Sequence, residues 1–139
     1  MNPVLKNVIA VVAGVVAGSI VNSAIVNVGP SIIPLPEGAD VCSMERLAES
    51  MHLFTFWSYV PPFVAHALGT LVGAFLAVKL AASHHGKIAF GIGVFFLFGG
   101  MVAASMIGGS KIFISVDLVF AYIQMAILGQ RFAGGAKSK

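Results

Sequence analysis

Four long apolar runs constrain this chain more than any other feature: Val4 to Val28, Tyr59 to Ala82, Ile88 to Gly109 and Ile112 to Leu128, the first two separated by a long loop and the others by short links. About 20 apolar residues carry a helix across the hydrocarbon of a bilayer, and the fourth run is the shortest of the set. A transmembrane barrel would show alternating strands of about ten residues, and the sequence has no such pattern. Only 9% of the residues are charged and 58% are hydrophobic, against about a quarter charged in a soluble domain. The expected fold class is therefore all-α. The chain reads as a polytopic membrane protein, one domain of 139 residues forming an antiparallel bundle of four transmembrane helices. The lipid bilayer is its first partner. Nucleic acid is not expected, because the net charge of +3 comes without a basic cluster.

Lys6 ahead of an apolar run raises the alternative of a signal peptide, but "VNSA" puts Asn22 where cleavage wants a small residue. The run is expected to stay as a helix. Cytoplasmic ends carry an excess of Lys and Arg. Lys6, Lys79, Lys87, Arg131, Lys137 and Lys139 fall on one side of a four-span arrangement, and Arg46 and Lys111 on the other. Both termini are predicted inside, with residues 29–58 outside. The single Cys42 excludes an intramolecular disulfide and any enzyme needing a cysteine pair; an intermolecular disulfide stays open.

Within the first outer loop, "GPSIIPLPEGAD" is proline-rich with a turn signal at Glu37-Gly38, and an extended segment is expected. "SMERLAESMHLF" then sets Met44, Leu47, Met51 and Phe54 on one helical face over residues 43–54. Ser43 is suited to the N-cap, and Glu45 to the first turn. Such a short amphipathic helix is expected to lie on the outer membrane surface, to cap the bundle, or to dock a membrane partner through those four side chains. Phe56, Trp57 and Tyr59 suit an interfacial belt, and Pro61-Pro62 the first turn of the second span. His84-His85 reads as a solvated turn rather than a metal site, since adjacent residues on a helix diverge.

Small residues recur every fourth position in two spans: Ala10, Gly14, Gly18 and Asn22 in the first, Ala65, Gly69, Gly73 and Ala77 in the second. Helices in lipid are held by close backbone contact more than by hydrophobic exclusion, so these stripes are packing seams, within one chain or between copies. Gly93, Gly100, Ala104 and Gly108 serve the same end in the third span.

One acid stands inside the apolar stretch "KIFISVDLVFAYIQMAILG": Asp117. At 1.5 Å per residue it lies roughly 9 Å inward from Lys111, a depth that Asn22, His66 and Ser105 match to within roughly 1 Å from their own boundaries. A charge in hydrocarbon costs about 2.5–3.5 kcal/mol on insertion scales, so a partner or a water cavity is expected for Asp117, and His66 is the best available partner. Asn22, His66 and Asp117 are expected to form a polar layer, with Thr70 beside His66, Gln124 continuing the Asp117/Ala121 face, and Ser105 less well phased. That layer suits binding of a cation, a proton or a small ligand; a purely structural Asp–His lock is an equal reading. Met101, Met106 and Met125 read as core filler. No catalytic nucleophile, metal-ligand spacing or cofactor motif is visible.

At "PPFVAHALGTLVGAFLA", with "PLPEGAD" before it and "LVFAY" after, the chain resembles small four-span bacterial membrane proteins over most of its length. The resemblance implies a bacterial inner membrane, with the first loop periplasmic, and implies no activity. Small multidrug-resistance transporters are similar in size and span number, but their essential carboxylate lies in the first span, which has no acid here. Two function classes follow. One is binding or transport of a small ligand, cation or proton, with a homo-oligomer expected for transport because four spans make a narrow bundle. The other is an accessory or assembly protein whose outer helix holds a partner. An enzyme has the least support.

Overall fold

A computed structural model describes residues 1–134; the expected cytoplasmic cations Lys137 and Lys139 lie outside the described residues. The described chain is all helical, in the order α1 (Pro3–Ile32), α2 (Met44–Ser50), α3 (Val60–Leu80), α4 (His85–Ile107), α5 (Lys111–Phe120) and α6 (Ile123–Phe132). Two 3-10 turns, Met51–Leu53 and Phe56–Tyr59, join α2 to α3. Four stretches are long and apolar enough to cross a membrane: α1, Phe56–Leu80, α4, and α5 with α6 together.

Helix α3 is the centre of the packing and touches each of the other long helices. Its seam with α1 runs antiparallel: Gly14 meets Gly73 and Ala77, Gly18 meets Gly69, and Gly29 meets Pro61. A Cβ on Gly14 would stand 2.5 Å from the Gly73 carbonyl oxygen, so the two backbones are in direct contact. At the far end Asn7 ties α1 to the α3–α4 link, accepting from the Ala82 N–H at 2.8 Å and donating to Ser83 Oγ at 3.1 Å. Helix α4 crosses α6 antiparallel, with Gly93 against Ile123 and Ala126.

The molecule therefore has two ends. The terminal end gathers the start of α1, residues 81–84 and the end of α6. The loop end gathers residues 33–59 and the turn 108–110, where Tyr59 Oη accepts from the Ser110 N–H at 3.2 Å and its ring stacks on Phe113. Lys6, Lys79, Lys87 and Arg131 belong to the terminal end, and Arg46 and Lys111 to the loop end.

Several boundaries differ from those read in the sequence; α4, for one, starts at His85 rather than Ile88, so the expected His84-His85 turn ends at His84. Helix α1 runs on through Gly29-Pro30 to Ile32, because one proline removes a single helical hydrogen bond and the Gly29–Pro61 contact holds the last turn. The third span stops at Ile107: Gly108 and Gly109 both have positive φ, 73° and 107°, and turn the chain. The fourth span is not one helix. It breaks at Ala121–Tyr122, and α6 then continues to Phe132, beyond the expected end at Leu128. The amphipathic segment forms α2 plus its 3-10 turn, capped by Ser43 Oγ, which accepts from the Arg46 N–H.

Candidate functional site

Asp117 sits on α5 and is 5% exposed. An ionised carboxylate only accepts hydrogen bonds, and both oxygens are supplied. His66 Nδ1–H, from the second turn of α3, donates at 2.8 Å to Oδ1 and 3.0 Å to Oδ2. Tyr122 Oη donates to Oδ2 at 3.0 Å. The Tyr122 ring also stacks on the His66 imidazole, with centroids 5.8 Å apart. Behind His66, Thr70 Oγ1 donates to the His66 carbonyl at 2.8 Å, a bond within α3 that turns the buried hydroxyl away from the carboxylate.

The break in the fourth span is what brings Tyr122 in. In an unbroken helix, residues five apart point about 140° away from each other. Here Tyr122 has φ −119° and ψ −80°, outside helical geometry, and its side chain reaches back to Asp117. Neither proline nor glycine causes the break; the buried ring is held by tertiary contacts instead. Gly100 is one of them: a Cβ there would overlap the Tyr122 ring, at 2.6 Å from Cζ. Gly100 therefore seats Tyr122, a different role from the backbone contacts of Gly14, Gly18, Gly69 and Gly73. Ala104 lies farther along α4, on the cavity wall.

Asp117 and His66 border a cavity of about 560 Å³ at the loop end. Its walls are mostly hydrocarbon from α1, α3, α4 and α5, and the apolar face of α2 roofs it: Met44, Leu47, Met51 and Phe54 all line this space. The roof is braced by its own polar contacts. Arg46 pairs with Asp40 at 2.9 Å, and Ser50 Oγ accepts from the Asp40 N–H and donates to its carbonyl.

The expected polar layer is only partly assembled. His66 and Asp117 are joined, and Asn22 lines the same cavity without a side-chain hydrogen bond to either. Ser105 is exposed and bonds back to the Val102 carbonyl at 2.7 Å, so its hydroxyl is satisfied on its own helix. Gln124 is exposed as well, because the break at Ala121–Tyr122 rotates α6 out of the phase set by Asp117. Tyr122, which sequence periodicity passes over, takes the place assigned to them. No cluster of three metal-ligating side chains occurs among the described residues.

Comparison of the chain with protein families, with curated proteins and with solved structures gives no match. The functional reading therefore stands on geometry and chemistry alone.

Proposed function

We propose that the chain is a multi-pass protein of the bacterial inner membrane that binds a small molecule in its loop-end cavity, with His66 as the contact residue. Orientation with the termini in the cytoplasm and the cavity toward the periplasm is supported by the cations, four of which sit at the terminal end. The exposed apolar residues of α1 and α4, among them Val8, Val12, Phe95 and Phe98, suit contact with lipid.

One observation carries the reading. With Nδ1 committed to Asp117, the second imidazole nitrogen, Nε2, makes no hydrogen bond to any described residue, and His66 lines a cavity of ligand size. A carboxylate behind an imidazole fixes its tautomer and the orientation of the ring. A structural lock between α3 and α5 needs no cavity, whereas a binding site does. Transport of the bound molecule is the broader form of the proposal, and a homo-oligomer would then be required for a path through the membrane.

Native mass spectrometry of protein extracted from its membrane tests this. Wild type is expected to retain a small-molecule adduct that His66→Ala reduces at least tenfold while the variant still unfolds cooperatively. Adducts unchanged by His66→Ala would sink the proposal.

A further inference from the structure

Which polar atoms of the cavity are already engaged decides what its occupant can be. Among the lining residues there is no Lys, Arg or Glu; the only strongly ionisable side chains are Asp117 and His66. Asp117 is buried and both its oxygens already accept, from His66 and Tyr122, so little of the carboxylate is left facing the cavity for a cationic head. An anionic head beside His66 would face the Asp117 carboxylate at the distance of one imidazole ring, a like-charge contact in low dielectric. Neither sign of charge is welcome.

The remaining polar side chains of the wall are Asn22, Asn27, Ser58 and Tyr59. Near the roof, Asn27 donates to the Ser23 carbonyl at 2.7 Å, Ser58 bonds Thr55, and Tyr59 Oη accepts from the Ser110 N–H. Deeper in, the Asn22 amide and His66 Nε2 have no partner among the described residues. Asn22 comes from the sixth turn of α1, where its Cβ lies against Gly69, and Gly69 precedes by one residue the Thr70 that bonds the His66 carbonyl. The amide and the imidazole thus enter one space from the two helices of the glycine seam. Everything between them and the roof is apolar, including Val26, Pro30, Ile33, Ile107 and Ile114.

Resting on the small-molecule site above, we propose that its ligand is an uncharged amphiphile: an apolar body under α2, with one hydroxyl head bound by His66 Nε2 and the Asn22 amide. Phenols, quinols and long-chain alcohols share that chemistry. Asn22 supplies both a donor and an acceptor, and His66 Nε2 accepts when the imidazole is neutral, so a hydroxyl head can be met in both directions. An unpaired polar group in the wall penalises any ligand lacking such a head.

Three probes with one body and different heads separate the possibilities: para-pentylphenol, para-pentylbenzoate and para-pentylbenzylammonium. Their binding is measured by equilibrium dialysis against full-length protein in nanodiscs, with empty nanodiscs subtracted, while the ring-nitrogen resonances of labelled histidine report contact at His66. The phenol is expected to bind at least tenfold more tightly than either charged probe and to shift the His66 Nε2 resonance. Asn22→Ala, which keeps the Cβ that packs on Gly69, is expected to cut that preference about tenfold with unchanged unfolding. Preference for the ammonium or the benzoate overturns the neutral-head assignment and leaves the small-molecule site standing. Binding of all three with no shift at His66 overturns it too. Absence of any probe binding, together with the absence of a native adduct, removes both proposals.

Discussion

Tyr122 donates a hydrogen bond to Asp117 at 3.0 Å across the break that separates α5 from α6, so the interruption of the fourth span and the satisfaction of its one acid are a single feature. Interhelical hydrogen bonds within membranes contribute about 0.6 kcal/mol on average and about 1.7 at most. Tyr122→Phe keeps the ring on Gly100 and leaves Oδ2 with His66, so a loss in the lower part of that range is expected in reversible unfolding from mixed micelles. A variant as stable as wild type would show that the ring alone holds the break.

His66→Ala strands a buried carboxylate, and breaking such a pair from one side costs about 3–5 kcal/mol. The double variant with Asp117→Asn strands no charge. It is therefore expected to be more stable than His66→Ala alone, a sign reversal that the same unfolding assay reads directly. Simple addition of the two losses would mean that the residues are uncoupled.

Glycines of one chain should respond in opposite ways. A Cβ at Gly18 meets the Gly69 carbonyl oxygen at 2.5 Å, and one at Gly100 meets the Tyr122 ring, whereas at Gly91 and Gly99 there is nothing within 4 Å. Overpacking costs about 1–3 kcal/mol, so Gly18→Ala and Gly100→Ala should destabilise by that order. Gly91→Ala and Gly99→Ala should be neutral or stabilise by up to about 1 kcal/mol through helix propensity. Melting temperatures of the four variants decide it.

Cys42 is exposed at the start of the roof. Its thiol pKa is raised, chiefly by its hydrogen bond to Asp40 and then by the Asp40 charge. Alkylation at mildly alkaline pH is therefore expected to be slower in wild type than in Asp40→Asn. A membrane-impermeant maleimide should reach Cys42 in intact cells or right-side-out vesicles; labelling only after permeabilisation would invert the proposed topology.

The Cys42 backbone N–H, the Cys42 side chain and Arg46 hold the Asp40 carboxyl below its usual range. A depressed carboxylate stabilises the fold above its unfolded pKa, and that contribution is lost as pH falls through the lowered value. Acidification should thus loosen the roof before it affects the glycine seam. Amide hydrogen exchange, corrected for intrinsic rates, is expected to show protection of α2 falling on acidification and already reduced at neutral pH in Asp40→Asn.

Much of this architecture is legible in the residues. Apolar runs report four spans, the four-residue spacing of Gly14, Gly18, Gly69 and Gly73 reports a seam, and depth counting sets His66 level with Asp117. In the fourth apolar run the reading fails for one physical reason: periodicity assumes that a helix continues. Gln124 is in phase with Asp117 only if α5 runs unbroken, and Tyr122 is out of phase only on the same assumption. No local residue marks the break, because its cause is the tertiary fit of one aromatic ring between Gly100 and His66. Gly29-Pro30 shows the converse, a local stop signal overridden by packing on Pro61.

The seam between α1 and α3 has a mechanical meaning. Where a Cβ would stand 2.5 Å from a facing carbonyl oxygen, no side chain remains to swing aside, and the two helices can only move as one stiff plate. The roof has the opposite character: α2 is seven residues long, and the cavity contacts of the helix and its 3-10 turn include the unbranched, adaptable side chains of Met44 and Met51. Compliance is thus concentrated at one face of the cavity. A deformation of the cavity would fall first on the roof, because Asn22 and His66 stand on the two helices of the stiff seam.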